Sequence, residues 1–222
     1  MICLVRTAPV IVGLIAFLAA ITQAHAQKEF PPPQGKGRVV VVVSGMSGPA
    51  HYEPVASQIA QLGYDTILFD GNSISGTQGS ALRAAIQQAQ GMPHALPGKV
   101  GLVGFSLGGG QVLFYGSQWP DLAAVVIAWY PATTFIHDVA GFVGRLSVPV
   151  LMLAAEMDTY RGCCLVGTAR TLAAAAAGRP FELVTYPNTD HDFVYGGSHY
   201  SPQPYSDGLQ RTAAKLGQYL SR

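Results

Sequence analysis

Short apolar runs recur along the chain, and the segments between them carry apolar residues at helical spacing. The runs do not alternate strictly between apolar and polar positions, which is typical of strands buried on both faces. This pattern predicts strands over 38–43, 64–70, 99–103, 122–130, 147–155 and 181–186. It predicts helices over 52–62, 80–90, 111–115, 168–177 and 209–220.

The alternation of strands and helices is typical of α/β proteins, in which helices cover both faces of a mostly parallel sheet. The sequence shows no internal repeat and no second domain, so we predict one compact domain over 38–222. In such sheets ligands bind beyond the carboxyl ends of the strands. Ser106, Asp158, the loop 44–48 and the loop 188–192 all follow predicted strands, so we expect them to lie close together.

Residues 1–26 have the pattern of a secretory signal peptide: an early arginine, an apolar stretch over 9–21 and a small-x-small cleavage site, Ala-His-Ala, at 24–26. The apolar stretch of about 13 residues is shorter than the roughly 20 that a membrane span needs, which favours export with cleavage over a membrane anchor. The predicted mature chain begins at Gln27, in the periplasm or outside the cell. An extended lead-in is predicted over 27–37, where three consecutive prolines occur.

The composition excludes several classes of partner. Charged residues make up 11% of the chain and the formal net charge is +1, so we expect no basic surface that would attract nucleic acid or an anionic membrane. Hydrophobic residues make up 49%, which is ample for the core of one domain. We expect a monomer without stable membrane insertion after signal removal. No cofactor is implied, and no metal-ligand spacing is present in the sequence.

Two of the three cysteines, Cys163 and Cys164, lie outside the predicted signal peptide. They are adjacent, so each could pair only with the other or with another chain. Neighbouring Cα atoms lie about 3.8 Å apart, below the usual disulfide range. We therefore expect two free thiols that pack as small apolar side chains.

A G-x-S-x-G motif spans Gly104 to Gly108, with Ser106 between a predicted strand and a predicted helix. Small residues on both sides let the backbone turn sharply, so that the serine Oγ stands exposed as in a nucleophile elbow. The helix begins at the serine, and its dipole favours the negative charge of an acyl-transfer intermediate. The alternative interpretation is a glycine-rich turn with an incidental serine.

A serine nucleophile needs a base, normally a histidine, which a carboxylate orients. In α/β-hydrolases the acid and then the histidine follow the serine along the chain. His191 follows the last predicted strand and precedes the last helix, so it is the expected base. His199 is the reserve candidate, and His137 also lies downstream of Ser106.

Asp158 is the expected acid because it follows a predicted strand, and Glu156 is the alternative carboxylate. Asp190 and Asp192 flank His191, but immediate neighbours rarely face each other across an imidazole ring. We expect these two aspartates to shape the loop or to be solvated.

The oxyanion hole of this architecture uses the backbone N–H after the nucleophile and one from the loop after an early strand. These positions are Leu107 and Met46. The loop 44–48 also fits an ordinary turn, which is the geometry that an oxyanion hole requires.

Together these motifs resemble the dienelactone hydrolase family of the α/β-hydrolases, over nearly all of 38–220. The elbow is general to the superfamily, whereas Cys164 six residues after Asp158, and His191-Asp192-Phe193 after Tyr186-Pro187, are more particular to the family. The resemblance implies the α/β-hydrolase fold without a large cap, with Ser106, Asp158 and His191 as the catalytic triad. The segments that could roof an open site are 71–79, 132–146 and 192–206.

Three positions depart from the family pattern. The namesakes use cysteine as the nucleophile, where this chain has Ser106, and they bear a substrate-binding arginine where this chain has Tyr195. The common loop pattern has histidine where this chain has Ser44. The fold and the triad are therefore expected to carry over, and the dienelactone substrate is not.

The expected protein is an exported serine hydrolase that cleaves small, neutral carboxylic esters through an acyl-enzyme intermediate. One alternative is another serine-hydrolase reaction, such as cleavage of an amide, a polyester or a lipid. A second alternative is a catalytically silent binding protein on the same fold.

Overall fold

The computed structural model describes residues 27–220, and the predicted signal peptide lies outside them. The strands are β1 (Gln27–Phe30), β2 (Gly37–Val43), β3 (Asp65–Phe69), β4 (Ala95–Phe105), β5 (Ala123–Trp129), β6 (Val150–Ala155) and β7 (Phe181–Tyr186). They form one seven-stranded sheet in the order β1-β3-β2-β4-β5-β6-β7. The pair β1–β3 is antiparallel, and the other neighbouring pairs are parallel.

Helices cover both faces of this sheet. They are α1 (Pro49–Gln61), α2 (Gly71–Ile74), α3 (Ser80–Gln90), α4 (Ser106–Phe114), α5 (Val139–Gly144), α6 (Val166–Ala175) and α7 (Pro202–Tyr219). Along β2, Val40 and Val42 join a core with α1 and α7, while Val39, Val41 and Val43 join a core with α3, α4, α5 and α6. Because successive strand residues point to opposite faces, the sheet is buried between two helical layers. The predicted mostly parallel α/β fold of one domain is confirmed.

The structure adds elements to the predicted set. β1 lies within the predicted lead-in and adds an antiparallel edge strand, which was missed because its residues, Gln-Lys-Glu-Phe, form no apolar run. The short helices α2 and α5 lie in predicted loops and begin at the caps Asp70 and Asp138, whose carboxylates accept backbone N–H groups of Asn72 and Gly141.

The last helix, α7, begins at Pro202 and not at 209. Proline suits the first helical position, because its fixed φ matches the helix and its missing N–H would have no partner there. Tyr205 in this first part of α7 is buried in the core. Asp207 lies inside the helix, where it accepts hydrogen bonds from the Tyr186 hydroxyl and Arg211 Nε.

Cys163 and Cys164 are joined by a disulfide, so the expectation of two free thiols is wrong. The usual Cα separation describes cysteines from distant segments and does not cover neighbours in a tight turn. The turn follows Arg161 and Gly162, both with left-handed backbone at φ 48° and 66°. The Cys163 carbonyl accepts the Thr133 N–H at 2.8 Å, which fastens the turn to the segment after β5.

No helix within residues 27–220 combines the length and the hydropathy that crossing a membrane would require.

Candidate active site

Ser106 stands at the sharp junction where β4 ends and α4 begins, with φ at 50°. A Cβ at Gly104 would lie 2.5 Å from the Gly108 carbonyl oxygen, and a Cβ at Gly108 would lie 2.4 Å from the Ser44 carbonyl oxygen. Both positions therefore require glycine, because the backbone segments approach too closely for any side chain. The strand, strained turn and helix are those that the motif predicts.

Ser106, His191 and Asp158 form one chain of contacts at the carboxyl ends of β4, β7 and β6. His191 Nε2 lies 3.0 Å from Ser106 Oγ, and His191 Nδ1 lies 2.7 Å from Asp158 Oδ2. The three residues are 5%, 7% and 2% exposed, so their interactions are largely shielded from water. The structure thus brings together the three residues that the sequence predicts as nucleophile, base and acid.

The alternative candidates occupy other positions. Glu156 Oε1 accepts hydrogen bonds from Arg170 Nη2 at 2.6 Å and from Thr185 Oγ1 at 2.8 Å. His199 Nδ1 lies 3.0 Å from the carbonyl oxygen of His191 and so contacts its backbone. His137 is exposed. In this geometry the imidazole of His191 faces Asp158 and not Glu156.

The loop after β2, which carries Met46, is held by one buried and one exposed polar contact. Ser44 Oγ accepts the Gly71 N–H at 3.0 Å, and Asn72 Nδ2 donates to the Met46 carbonyl at 3.3 Å. The serine at position 44 therefore anchors the loop against the start of α2. Leu107 lies in the first turn of α4, where backbone N–H groups have no partner within the helix.

A pocket of approximately 150 Å³ opens beside the nucleophile. Within the described part of the chain, its lining includes no lysine or arginine. Tyr195 is 54% exposed and packs edge-to-face against Tyr200, outside this lining. Two arginines, Arg145 and Arg161, follow predicted strands but do not belong to the lining. Arg145 Nε donates to Gln118 Oε1, and the Arg161 guanidinium lies over the Tyr160 ring. The lining residues are Met46, Ser47, Tyr52, Ser106, Tyr160, His191, Asp192, Ser198 and His199.

The model of the dienelactone hydrolase family matches residues 72–220, a segment that contains all three residues of the contact chain. The chain belongs to the dienelactone hydrolase family. It is therefore a carboxylic ester hydrolase, which confirms the enzyme class predicted from the sequence. No curated protein sequence matches the chain.

Solved structures of this family and of esterases share the fold. A candidate dienelactone hydrolase from Klebsiella pneumoniae is 22% identical, with a TM-score of 0.71 over 88% of this chain and 100% of that chain. Est1E from Butyrivibrio proteoclasticus is 14% identical, with a TM-score of 0.69 over 86% and 94%. Esterase 2 from Thermogutta terrifontis, in a propionate-bound form, is 17% identical, with a TM-score of 0.65 over 86% and 88%. At these identities the likenesses establish the fold alone.

The imidazole of His191 lies against two tyrosines that no sequence motif identifies. The Tyr160 ring stacks on His191, with centroids 4.6 Å apart and planes at 8°, and Tyr130 meets it edge-on at 4.9 Å. The Tyr160 N–H also donates to Asp158 Oδ1 at 3.0 Å. Tyr130 is the last residue of one predicted strand and Tyr160 comes five residues after another, so both lie at the edge of the sheet where the site lies, and this position was the available signal.

Asp192 is 9% exposed, so the expectation that it is solvated is wrong, whereas its contacts with Ser198 confirm the alternative that it shapes the loop. Its Oδ1 lies 2.9 Å from His51 Nε2 and accepts from the Tyr130 hydroxyl at 3.4 Å, and its Oδ2 accepts the Ser198 N–H at 2.9 Å. A buried carboxylate is costly unless it is hydrogen-bonded, and these partners satisfy it. Burial raises the pKa of Tyr130 well above its usual range, so this hydroxyl stays protonated and can donate.

One trio of potential metal ligands lies in the site: Asp158, Cys164 and His191. Cys164 is engaged in the disulfide, and disulfide sulfur is not the thiolate that metals bind. Asp158 and His191 already contact each other. The donor chemistry of this trio therefore does not fit a metal ion.

Proposed function

We propose that this protein is an exported serine hydrolase that cleaves small, neutral carboxylic esters through an acyl-enzyme intermediate. The observation that carries the proposal is the buried contact chain from Ser106 Oγ through the His191 ring to Asp158. Nucleophile, base and orienting acid in this order define the arrangement that activates a serine. The family membership supplies the ester bond as the target.

In the proposed first step Ser106 Oγ attacks the acyl carbon while His191 Nε2 takes the serine proton. Asp158 holds the neutral ring in the tautomer that carries its proton on Nδ1, and it stabilises the imidazolium that forms. The oxyanion binds the N–H groups of Met46 and Leu107, which supply preorganised donors. The C–O bond to the alcohol then breaks, and the alcohol leaves with the proton from His191. In the second step His191 removes a proton from water, which attacks the acyl carbon. The bond between this carbon and Ser106 Oγ then breaks, His191 returns the proton to Oγ, and the acid is released.

The pocket supports a small substrate group. A volume of approximately 150 Å³ matches that of an engineered protein cavity known to hold benzene, so the pocket suits a short acyl chain or one ring. Exposed apolar side chains are concentrated in the loops that follow the strands, at the edge of the sheet where the pocket lies, and two of them, Met46 and Tyr160, line the pocket. The large hydrophobic residues exposed in the described part of the chain are Met46, Met157, Tyr160, Leu165, Tyr195 and Tyr200. These side chains favour an apolar alcohol or acyl group outside the pocket.

We expect neutral esters to be turned over much faster than matched esters with a carboxylate beside the scissile bond. An unpaired charge in a partly buried site costs several kcal/mol. Among the described residues, the pocket lining offers the carboxylate of Asp192 but no lysine or arginine. Tyr195→Arg should narrow the gap by adding a cation near the mouth. The measurement is kcat/KM for one neutral and one anionic ester of the same size.

Arg145→Ala is the matched control, because this arginine binds Gln118 and its loss should leave the ratio of the two kcat/KM values unchanged. If the wild-type enzyme prefers the anionic ester, a cation must reach the pocket. That result would contradict the proposed substrate class.

Export is part of the same proposal. It rests on the signal-peptide pattern of 1–26, and the Cys163–Cys164 disulfide supports it because disulfides persist in oxidising compartments. We expect N-terminal sequencing of protein produced in a bacterial host to find Gln27 as the first residue, in the periplasmic or culture fraction. A chain that keeps Met1 in the membrane or cytoplasmic fraction would contradict export, and it would leave the proposed chemistry unaffected.

A further inference from the structure

A second group of chemistry-bearing side chains lies at the opposite end of the sheet from Ser106. Glu29 is on the edge strand β1, Asp65 is the first residue of β3, and His94 directly precedes β4. One potential ligand atom from each lies within 4.8 Å of those of the other two. The catalytic candidates follow the carboxyl ends of parallel strands, whereas Asp65 and His94 lie at the amino ends. The two groups are therefore separate sites.

Strand pairing brings the two carboxylates together. Glu29 pairs with Ile67 across the antiparallel pair, and Asp65 lies two residues from Ile67 along β3. Residues two apart on a strand share a face, so Glu29 and Asp65 project on the same side of the sheet. His94 reaches this side from the preceding turn, with its Nδ1 2.8 Å from Glu29 Oε1.

Asp65 is the unusual member of the group, because it is fully buried and, within residues 27–220, neither carboxylate oxygen accepts a hydrogen bond from an N–H or hydroxyl donor; the polar groups that face it are the Glu29 carboxyl and His94. Buried carboxylates in native proteins are normally paired, hydrogen-bonded or bound to metals. Within the part of the chain that the structure describes, this buried carboxylate therefore lacks a hydrogen-bond donor that would compensate its burial.

We propose that Glu29, Asp65 and His94 bind a first-row divalent metal ion of the zinc type. One imidazole nitrogen and two carboxylates form a donor set that suits Zn²⁺, whereas Mg²⁺ and Ca²⁺ prefer oxygen ligands alone. Four-coordinate Zn²⁺ with bonds of about 2.1 Å holds its ligand atoms about 3.4 Å apart. No two ligand atoms therefore have to close by more than about 1.4 Å, and the contact between His94 Nδ1 and Glu29 Oε1, now 2.8 Å, has to lengthen.

The exposure of two of the three proposed ligands allows a metal ion to enter and the side chains to move toward it. The side chain of His94 is 44% exposed and that of Glu29 is 18% exposed. An ion can therefore enter from solvent, and both side chains can change their rotamers to bind it. Asp65 forms the rigid, buried base of the site. The fourth position, on the solvent side, would be taken by water.

The bound ion would fasten the edge strand to the sheet. β1 has four residues and pairs with a single strand, β3, so few backbone hydrogen bonds hold it in the sheet. A metal ion would link β1, β3 and the turn before β4 through one centre. Its expected effect is on stability and not on the esterase reaction at the far end of the sheet.

The test is calorimetric titration of Zn²⁺ into the full protein, as isolated, without a histidine tag and after treatment with a chelator. We expect one saturable site for Zn²⁺ and none for Mg²⁺. At a hundredfold excess over Kd, bound Zn²⁺ should raise Tm by about 5 °C or more. Because Asp65 is buried, the diagnostic variants are His94→Gln and Glu29→Gln, which should each weaken Zn²⁺ binding by at least about tenfold.

The matched control is His137→Gln, which removes an exposed histidine from another part of the described chain and should leave binding unchanged. Absence of saturable Zn²⁺ binding would overturn the proposal, as would weakening of less than about tenfold in both diagnostic variants. Zn²⁺ bound at the catalytic candidates would inhibit ester hydrolysis and would survive His94→Gln. That outcome also overturns the site.

Discussion

Ser106→Ala is expected to lower kcat on a good ester substrate by about 10³-fold or more. The substitution removes Oγ, the atom 3.0 Å from His191 Nε2, and leaves the other residues of the contact chain in place. Alanine keeps the small Cβ that already fits the strained turn at φ 50°, so Tm should change little. Steady-state kinetics with a p-nitrophenyl ester and a thermal melt of the same preparation measure the two effects.

Ser80→Ala is the matched control, because it removes an exposed hydroxyl at the start of α3, outside the pocket lining. Its kcat should equal that of the wild-type enzyme. Retention of most activity in Ser106→Ala would end the assignment of Ser106 as the nucleophile.

Asp158→Asn is expected to reduce kcat by about 10⁴-fold, as loss of the correct histidine tautomer does in serine hydrolases. The Tyr160 N–H faces Oδ1 of Asp158, so it would hold the amide oxygen of asparagine in that position. The amide NH₂ would then face His191 Nδ1 and donate to it. The proton of the neutral ring would move to Nε2, which could no longer accept the proton of Ser106.

Asp190→Asn is the control for this experiment. Asp190 Oδ1 accepts the backbone N–H of His191 at 2.7 Å, and its side chain is 36% exposed, so an amide oxygen can replace it. The loss of activity should therefore be mild. A near-normal Asp158→Asn enzyme together with an inactive Glu156→Gln enzyme would show that the acid had been misassigned.

The parallel sheet could be predicted because its strands are apolar runs that require burial on both faces. Residues 39–43, all valine, can satisfy this requirement only in the middle of a covered sheet, which is where β2 lies. β1 could not be predicted, because an edge strand needs few apolar residues and this one has mainly polar ones. The start of α7 was missed for a related reason, since two prolines and several polar residues conceal its helical spacing.

In the site, the residues that could be identified from the sequence are those marked by a local motif or by a position directly after a strand. Ser106 lies in a turn that only glycine neighbours permit, and Asp158 and His191 follow strands that end at the same edge. The stacking of Tyr160 on His191 depends on contacts between separate loops, as does the burial of Asp192. A linear sequence does not report such contacts. The Cys163–Cys164 disulfide was missed because typical pair distances were applied to adjacent residues.

The central claim is that Ser106 forms a covalent acyl-enzyme, and a fluorophosphonate probe tests it most directly. The wild-type protein should gain the mass of one phosphonyl group, and peptide mass spectrometry should place that group on Ser106. Asp158→Asn should react much more slowly, because the probe requires the same activated serine. An unlabelled wild-type protein that retains its native fold, or a label on another residue, would contradict the claim.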